Sequence, residues 1–377
     1  SDLESTGNGA IVLVSSGALT LNEGNADDEV INASGNVLLQ TTSGAITVNA
    51  PVLSAGNVRI DSAAAITQAA VGDITLSSTV KTLYVRATGA LTMADGAFAQ
   101  STDGDIRYES TSGDITLGQL IAGAGNVALI ADTGSIIDGG DTGGEDIQSS
   151  GLLITAGANI ASGVNPLETL VARLSTRSST AASSDGSFIT ESNGLIVDSV
   201  TVAVQTIESD GLTPAATSDV TQADLDTSAG GAIVVQVTTG NFQLTDGASS
   251  DADGIVVTSV SNVLLDAQDG QLIVDADMIS ASGHLDLQAS DDIVLGSEAD
   301  LSTQSSGQTI LLTSESDVLM SDGASVVTTN GAIIVLAVDS ITVGDLDAGT
   351  TFVSLRGSTI TDSGSSDTKP TWTGIHC

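Results

Sequence analysis

Apolar residues recur along this chain in short alternating phrases, each bounded by Gly, Asn, Asp or Ser. The stretch from 112 to 136, SGDITLGQLIAGAGNVALIADTGSI, contains several of these phrases in succession. Alternation of apolar and variable positions is typical of a strand with one buried face. At intervals of about 21 to 26 residues, a first phrase begins at Ile11, Val37, Val58, Leu83, Ile106 and Val127. This spacing predicts a structural repeat with one coil per interval.

Each interval contains two further short strand phrases. A second phrase follows about eight or nine residues after the first, at Leu19, Ile46, Ile66, Leu91, Ile115 and Ile136. A third begins at Ile31, Leu53, Ile74, Phe98, Ile121 and Ile147. Three strands per coil, each pairing with equivalents about 4.8 Å away in the neighbouring coils, predict an all-β parallel β-solenoid.

Glycine, and the Asn or Asp that follows it, suit the corners of such a coil because both tolerate a left-handed backbone. Four of these polar residues fall at the same corner, immediately before the first phrase of their coils: Asn36, Asn57, Asp105 and Asn126. Residues at one corner of a solenoid stack along its axis. We therefore predict that they form a polar ladder.

The repeat pattern resumes after an irregular central stretch. Paired phrases begin at Ile233 and Phe242, Ile255 and Val263, Leu285 and Ile293, Ile310 and Val318, Ile333 and Ile341, and Val353 and Ile360. In the central stretch Pro166 could start a helix, with apolar residues at helical spacing at Leu167, Leu170, Val171 and Leu174. We therefore expect regular coils at 1–154, less regular coils with a lateral insertion at 155–230, regular coils at 231–362 and a non-repetitive tail at 363–377.

Composition agrees with an aliphatic repetitive interior. Hydrophobic residues make up 41% of the 377 residues and aromatic residues only 2%, so Val, Ile, Leu and Ala must fill the core. The net charge of -39 repels phosphate backbones and anionic membranes, which argues against a nucleic-acid partner and leaves divalent cations as candidate ligands. No apolar run approaches the roughly 18 to 20 residues that span a bilayer. A single cysteine, Cys377, allows no internal disulfide.

Few residues suggest catalysis or ligand binding. The only histidines are His284 and His376, which nearly removes a Ser-His-acid triad, and His284 is predicted to be an exposed corner residue. In three consecutive coils Arg59, Tyr84 and Arg107 occupy outward positions of one column. Guanidinium groups stacked on a tyrosine ring favour a structural surface feature, and a sugar- or partner-binding patch is the second interpretation. As surface residues, Arg59 and Arg107 should tolerate alanine with small effects on folding.

A row of threonines occupies the outward position of the second phrase in five successive coils. Its members are Thr20, Thr47, Thr67, Thr92 and Thr116, and Ile137 ends the row. Flat threonine arrays can order water and bind ice, but such surfaces need paired rows. We therefore predict a ladder of β-branched side chains that stabilises the sheet.

Acidic turns make calcium the leading candidate for a bound ligand, with no other cofactor expected. Closely spaced carboxylates occur at 138–146 (DGGDTGGED), 250–254 (SDADG) and 275–278 (DADM). With backbone carbonyls they could supply the six to eight oxygens that calcium prefers. None of the turns matches an EF-hand loop or the glycine-rich nonapeptide repeat, so solvated acidic turns are the favoured interpretation and a calcium site is the alternative. The predicted calcium ligands are Asp138, Asp141, Glu145 and Asp146.

The phrases GNVLLQTTSGAITV, GDIRYESTSGDITL and NPLETLVARLST, followed by SFITESNGLIV, resemble the repeat regions of known bacterial proteins. These are filamentous-haemagglutinin-like adhesins and giant repetitive surface proteins of Gram-negative and related aquatic bacteria. The resemblance implies a right-handed parallel β-helix, secretion or display at the cell surface, and a non-enzymatic role as stalk, filament or adhesin. It also implies partners: further coils or other copies stacked end to end, and surface glycans or neighbouring cells.

A function from another class stays open. Parallel β-helices also serve as polysaccharide lyases and hydrolases, whose sites gather several carboxylates on one outer face. A carbohydrate-active enzyme would need such a groove, and the insertion within 155–230 is where we expect it.

Overall fold

The computed structural model describes residues 3–24, 29–179, 186–213, 215–228, 230–247, 253–257 and 261–364. Every regular secondary-structure element in these ranges is a β-strand, as the sequence predicts. The described residues form no helix long and apolar enough to cross a membrane. Parallel strands stack coil upon coil, and the chain is a β-solenoid of about 14 turns. The predicted tail and His376 lie outside the described residues from position 365 onward.

The chain divides into two compact units. Unit 1 comprises Ser1–Ala161, Leu167–Val171 and Val200–Gln222. Unit 2 comprises Ser162–Pro166, Ala172–Ser199 and Ala223–Cys377.

Unit 1 contains three parallel sheets, named first, second and third after the order of their strands within a coil. The first sheet consists of Ile11–Ser15, Val37–Thr41, Val58–Ser62, Leu83–Ala87, Ile106–Ser110, Asn126–Ala131 and the end of Ile147–Ala156. The second consists of Leu19–Leu21, Ile46–Val48, Ile66–Gln68, Leu91–Met93, Ile115–Leu117 and Ile136–Asp138. The third consists of Leu3–Glu4, Ile31–Ala33, Val52–Ser54, Ile74–Thr79, Phe98–Thr102, Gln119–Ile121 and the start of Ile147–Ala156.

The interior of unit 1 is a stack of aliphatic side chains. Val37, Val58 and Leu83 align in successive coils and are fully buried. Burial of each such side chain contributes about 1.5–3 kcal/mol. Glycine allows the coils to approach at the corners, because a Cβ on Gly44 would lie 2.2 Å from the backbone nitrogen of Ala18. The period-two pattern thus selects the core residues.

The strand registers confirm the predicted starts of the first and second strands in unit 1. Among the third strands they confirm Ile31, Ile74 and Ile147 but shift others by one residue. Val52, rather than Leu53, aligns with Ile31 and Ile74. In the next coils Leu120, rather than Ile121, aligns with an inward residue of the following strand. These third strands carry two adjacent apolar residues, so alternation alone does not decide which one faces the core.

Unit 2 repeats the three-sheet arrangement. Its first sheet consists of Gly186–Glu191, Ala232–Val237, Val263–Ala267, Leu285–Ala289, Ile310–Ser314, Ile333–Ala337 and Val353–Arg356. The second consists of Leu195–Val197, Phe242–Leu244, Leu272–Val274, Ile293–Leu295, Val318–Met320, Ser340–Val343 and Thr359–Asp362. The third consists of Leu225–Thr227, Asp253–Val257, Asp277–Ser280, Asp300–Thr303, Ser325–Thr328 and Asp345–Asp347.

One predicted phrase pair of unit 2 is wrong. Ile255 lies in the third sheet and Val263 in the first sheet of the next coil, whereas the sequence pattern paired them as first and second strands. Both phrases show the same apolar alternation, which does not distinguish a third strand from a first.

The helix considered after Pro166 is also wrong, because Leu167–Ser178 is a strand of 12 residues. Its residues Arg173 and Leu174 pair with the second sheet of unit 2, and Thr176 to Ser178 pair with the third. Leu167, Thr169 and Val171 are buried in alternation, so this stretch satisfies a period of two as well as a helical spacing. Pairing with neighbouring coils provides the backbone hydrogen bonds that decide between them.

An antiparallel hairpin lies within the central stretch. Its strands are Ala203–Thr206 and Ala215–Ser218, and Val200 bridges to Gln222 at its base. The segment Val200–Gln222, called here the hairpin, belongs to unit 1. Its strands pair antiparallel, in contrast to the parallel strands of the three sheets.

Candidate functional site

The outward residues of the first sheet of unit 1 form one aligned column that begins at Val12. Its six further members, called the outer column, are Leu38, Arg59, Tyr84, Arg107, Ala128 and Leu153. The guanidinium carbon of Arg59 lies 5.9 Å from the centre of the Tyr84 ring, and that of Arg107 lies 5.1 Å from it. Both distances are within the range of cation–π attraction. The stack of Arg59, Tyr84 and Arg107 predicted from the sequence is therefore formed.

The hairpin covers this column. Tyr84 and Arg107 are only 6% and 7% exposed. Val200, Val202 and Val204 of the hairpin form a buried apolar cluster with three members of the column, Tyr84, Ala128 and Leu153. The outer column is thus the floor of a second, smaller core, in which Tyr84 and Arg107 are covered and Arg59 is half-buried.

Arg107 ties the hairpin to the column electrostatically. Its Nε and Nη2 atoms lie 3.0 and 2.9 Å from Oδ1 of Asp219 on the hairpin, and its Nη1 contacts Glu109. The hydroxyl of Tyr84 donates to Glu109 Oε2 at 2.7 Å. Burial alone would lower the pKa of Arg107, but hydrogen bonds with Asp219 and Glu109 outweigh it and raise the pKa. The guanidinium therefore stays charged between two carboxylates.

Glu109 is the second carboxylate of this network. Burial would raise its pKa, yet hydrogen bonds from Tyr84 and Arg107 hold the pKa below its usual range. Hydrogen bonds that involve charged groups are stronger than neutral ones. A charged, largely buried network thus anchors the hairpin beside its apolar contacts.

Backbone contacts fix the hairpin along the coils. The side-chain amide of Asn126 donates to the carbonyl oxygen of Thr201 at 3.0 Å. The backbone N–H groups of Ala203 and Gln205 donate to Asp105 Oδ2 and Thr82 Oγ1, both at 2.8 Å. Arg59 then donates to Ile207 O at 3.2 Å, and Asn36 to Gly211 O at 2.9 Å. From Thr201 to Ile207, every second hairpin residue contacts the next coil along.

Some of these contacts use the corner ladder predicted from the sequence. Asn36 accepts the backbone N–H of Asn57 at 3.0 Å, and Asp105 accepts that of Asn126 at 2.9 Å. Thr82, which was not part of the predicted ladder, occupies the same corner and donates its backbone N–H to Asn57 Oδ1 at 3.0 Å. The ladder both caps neighbouring coils and holds the hairpin. In the sequence, the alternating valines of TVAVQT (201–206) were the signal that the hairpin has a buried face of its own.

A cluster of three carboxylates lies elsewhere in unit 1. Asp138, Asp146 and Glu168 place ligand oxygens within 4.8 Å of one another. Asp138 ends a second-sheet strand in register with the buried Leu117, so it occupies an inward position. Asp146 Oδ2 accepts the backbone N–H of Glu168 at 3.1 Å, which joins adjacent coils.

The structure brings together only two of the four predicted calcium ligands. It brings together Asp138 and Asp146, but Asp141 is exposed and Glu145 is half-buried, and neither belongs to the cluster. The third member, Glu168, was not predicted. It lies 22 residues after Asp146, and this one-coil spacing was the available signal.

The negative charges of this cluster need to be neutralised. Burial and the charge of Asp138 raise the pKa of Asp146. The same two causes raise the pKa of Glu168. Three carboxylates this close repel one another unless protons or a cation neutralise them. Their oxygens fit a hard cation such as calcium, since carboxylates are its preferred ligands.

Other candidate residues serve the stacking of coils. Nδ1 of the exposed His284 accepts the backbone N–H of Thr309 at 2.9 Å, as a corner residue should. In the DADM turn, Asp277 accepts a hydrogen bond from the backbone N–H of Asp300 at 3.0 Å. Asp275 accepts one from the side-chain amide of Gln243, also at 3.0 Å. In the SDADG turn, residues 250–252 lie outside the described residues.

The predicted threonine row is formed on the second sheet of unit 1. Its five residues align through consecutive registers and end at Ile137. This ladder leaves a flat outer face of β-branched side chains.

Comparison with protein families, curated proteins and solved structures finds no match to this chain. The β-solenoid fold rests on the strand registers. The likeness to adhesin-type repeats stays a prediction from the sequence phrases.

Proposed function

We propose that this chain is a non-enzymatic, structural and adhesive β-solenoid that works outside the cell or on its surface. One observation supports this most directly: polar side chains that suggested chemistry are engaged in stacking the coils. His284 and Asp277 cap Thr309 and Asp300 of the next coils, and Arg107 holds the hairpin against the coils. These side chains contribute to a rigid scaffold that displays its outer surfaces.

The mechanism is mechanical. Each coil buries aliphatic side chains and pairs its backbone with its neighbours, so stability accumulates by nearest-neighbour stacking. The net charge of -39 keeps copies apart in solution except where complementary surfaces meet. Further coils or other copies are the proposed structural partners. Surface glycans or neighbouring cells are the proposed adhesive ones.

The experiment pairs adhesion with catalysis in one assay. The purified chain is incubated with immobilised acidic and neutral polysaccharides, and both retained protein and new reducing or unsaturated ends are measured. We expect retention without product. Product that disappears in the Asp146→Asn variant would overturn the proposal.

A carbohydrate-active enzyme is the second candidate, favoured by the Asp138, Asp146 and Glu168 cluster. A carboxyl group with a raised pKa suits a general acid. However, Asp146 and Asp138 are only 2% and 6% exposed, so a sugar chain cannot reach them without a rearrangement. The hairpin also closes onto the outer column instead of bordering a groove. For these reasons we favour the structural proposal.

Calcium binding to the same cluster stays a prediction, with Glu168 in place of Asp141 and Glu145. Melting temperatures in calcium and in chelator test it, because a ligand bound only by the folded state raises apparent stability. Equal melting temperatures would remove calcium from the proposal.

A further inference from the structure

The first sheet of unit 2 has an outward column that corresponds to the covered column of unit 1. That column runs from Phe188 to Ser354. Its five central members, called the unit 2 column, are Val234, Leu264, Asp286, Leu311 and Ile334, and they align in five successive coils. Four of the five are aliphatic. In unit 1 the hairpin covers the equivalent column, in which Tyr84, Arg107, Ala128 and Leu153 are buried, whereas all five residues here are partly exposed.

The edge of this face also matches the hairpin-binding edge of unit 1. Asn262, His284 and Thr309 occupy the corner that precedes each first-sheet strand, the place that Asn57, Thr82 and Asp105 hold in unit 1. Asn262 accepts the backbone N–H of His284 at 3.0 Å. Nδ1 of His284 accepts from Thr309, so the neutral ring carries its proton on Nε2. That proton is available to the carbonyl of a docked chain.

The two columns carry side chains of opposite charge. Unit 1 carries Arg59 and Arg107, and the hairpin supplies the matching carboxylate of Asp219. The unit 2 column carries Asp286, beside Asp266 of the neighbouring strand. Burial among apolar side chains raises the pKa of Asp286, although a hydrogen bond from Gln288 opposes this. A cation brought against this carboxylate would therefore be favoured.

The hairpin shows what geometry such a face accepts. Its inner strand advances one coil for every two residues from Thr201 to Ile207. Two extended residues span about 6.6 Å and adjacent coils lie about 4.8 Å apart, so the strand crosses the coils obliquely. At two residues per coil, an extended strand that crosses five coils needs about nine residues, and its alternate side chains face the column.

We propose that the unit 2 column is a docking surface for an extended segment of a partner protein, whose inward side chains are aliphatic except for a central lysine or arginine opposite Asp286. The segment pairs apolar side chains with Val234, Leu264, Leu311 and Ile334 in turn. Its backbone bonds to the polar corner edge. Main-chain contacts thus provide attachment, and the central cation provides specificity.

The test uses two cyclic hairpin peptides with fluorescent labels and the full chain. Each peptide has valine at the first, third, seventh and ninth positions of one strand, threonine between them, and either lysine or glutamate at the fifth. Fluorescence anisotropy at physiological salt measures binding. We expect the lysine peptide to bind at least about tenfold more tightly, because the glutamate peptide places like charges together.

Variants of the chain make the test specific. Asp286→Lys should reverse the preference, and Leu264→Asp should abolish binding of both peptides. Thr47→Lys, which places the same charge on the flat second sheet of unit 1, should leave the preference unchanged. Melting curves verify that each variant is folded, as expected for outward positions.

Three results would overturn the proposal. The first is absence of saturable binding of the lysine peptide. The second is a preference that Asp286→Lys leaves intact. The third is self-association of the chain that Leu264→Asp abolishes, since it would assign this face to a second copy.

Discussion

Replacing Arg107 with alanine tests how the hairpin is held. From sequence alone this change should have a small effect, because the residue was predicted to lie on the surface. In the structure its side chain is 8% exposed, and its carboxylate partners Asp219 and Glu109 are 11% and 15% exposed. Removing one partner of a buried ion pair costs about 3–5 kcal/mol. Partial hydration of the carboxylates reduces this, so we expect a loss of about 2–4 kcal/mol in the free energy of unfolding.

A double-mutant cycle isolates the contact. Arg107→Ala, Asp219→Ala and the double variant are compared by urea titration followed by circular dichroism, and the coupling should be about 1–3 kcal/mol. Hydrogen exchange of the Asp219 amide, which donates to Val202 O at 2.9 Å, reports local opening of the hairpin. Arg356→Ala is the matched control. That arginine is exposed and has no carboxylate partner among the described residues, so its loss should change stability by less than about 0.5 kcal/mol.

An Arg107→Ala variant as stable as Arg356→Ala, or a cycle without coupling, would refute the proposed role of the Arg107 network. Either result would mean that the valines alone hold the hairpin and that the charged network contributes nothing measurable. Faster exchange at Asp219 with unchanged global stability would instead place the effect in local opening, and the predicted magnitude would be wrong.

Buried groups elsewhere in the chain lead to three further predictions. Tyr108→Phe should stabilise the protein by about 1 kcal/mol in urea titrations, because the buried Tyr108 hydroxyl has no hydrogen-bond partner among the described residues. Gly283→Ala should lower the melting temperature, because its Cβ would lie 1.4 Å from the Ser261 carbonyl oxygen. Burial and Asp138 raise the pKa of Asp146, so folded protein binds that proton more tightly than unfolded protein. In chelator, stability should therefore fall as pH rises above about 4, and calcium should reverse this in wild type but not in Asp146→Asn.

Much of the coil architecture could be predicted because the repeat is local. Strand starts such as Val58 and Leu83 follow from alternation bounded by glycine and polar residues, and their registers confirm it. The predictions were wrong where the same residues are compatible with two structural interpretations. Val52 and Leu53 are both apolar, and Leu167–Ser178 satisfies both a helical and a strand period. Only pairing with neighbouring coils resolves these ambiguities.

The sites were harder to predict because they depend on contacts between distant segments. The Arg59, Tyr84 and Arg107 stack followed from strand register, but its burial depends on a hairpin that starts 93 residues after Arg107, at Val200. Likewise Asp138 and Asp146 are close in sequence, whereas Glu168 joins them from the next coil. A repeat predicts which residues share a column and says little about what covers that column.

The acidity of the chain has a structural origin that links the two columns. Asp105, Asp114 and Asp317 each accept a backbone N–H from the following coil, at 2.9, 2.8 and 2.7 Å. Hydrogen bonds from the Ser340 hydroxyl and N–H hold the pKa of Asp317 below its usual range, so this cap is present at neutral pH and lost as pH falls. Caps of this kind add negative charge as coils accumulate. On such a surface an arginine column attracts the chain's own acidic hairpin, whereas a column that carries Asp286 must find its cation in a partner.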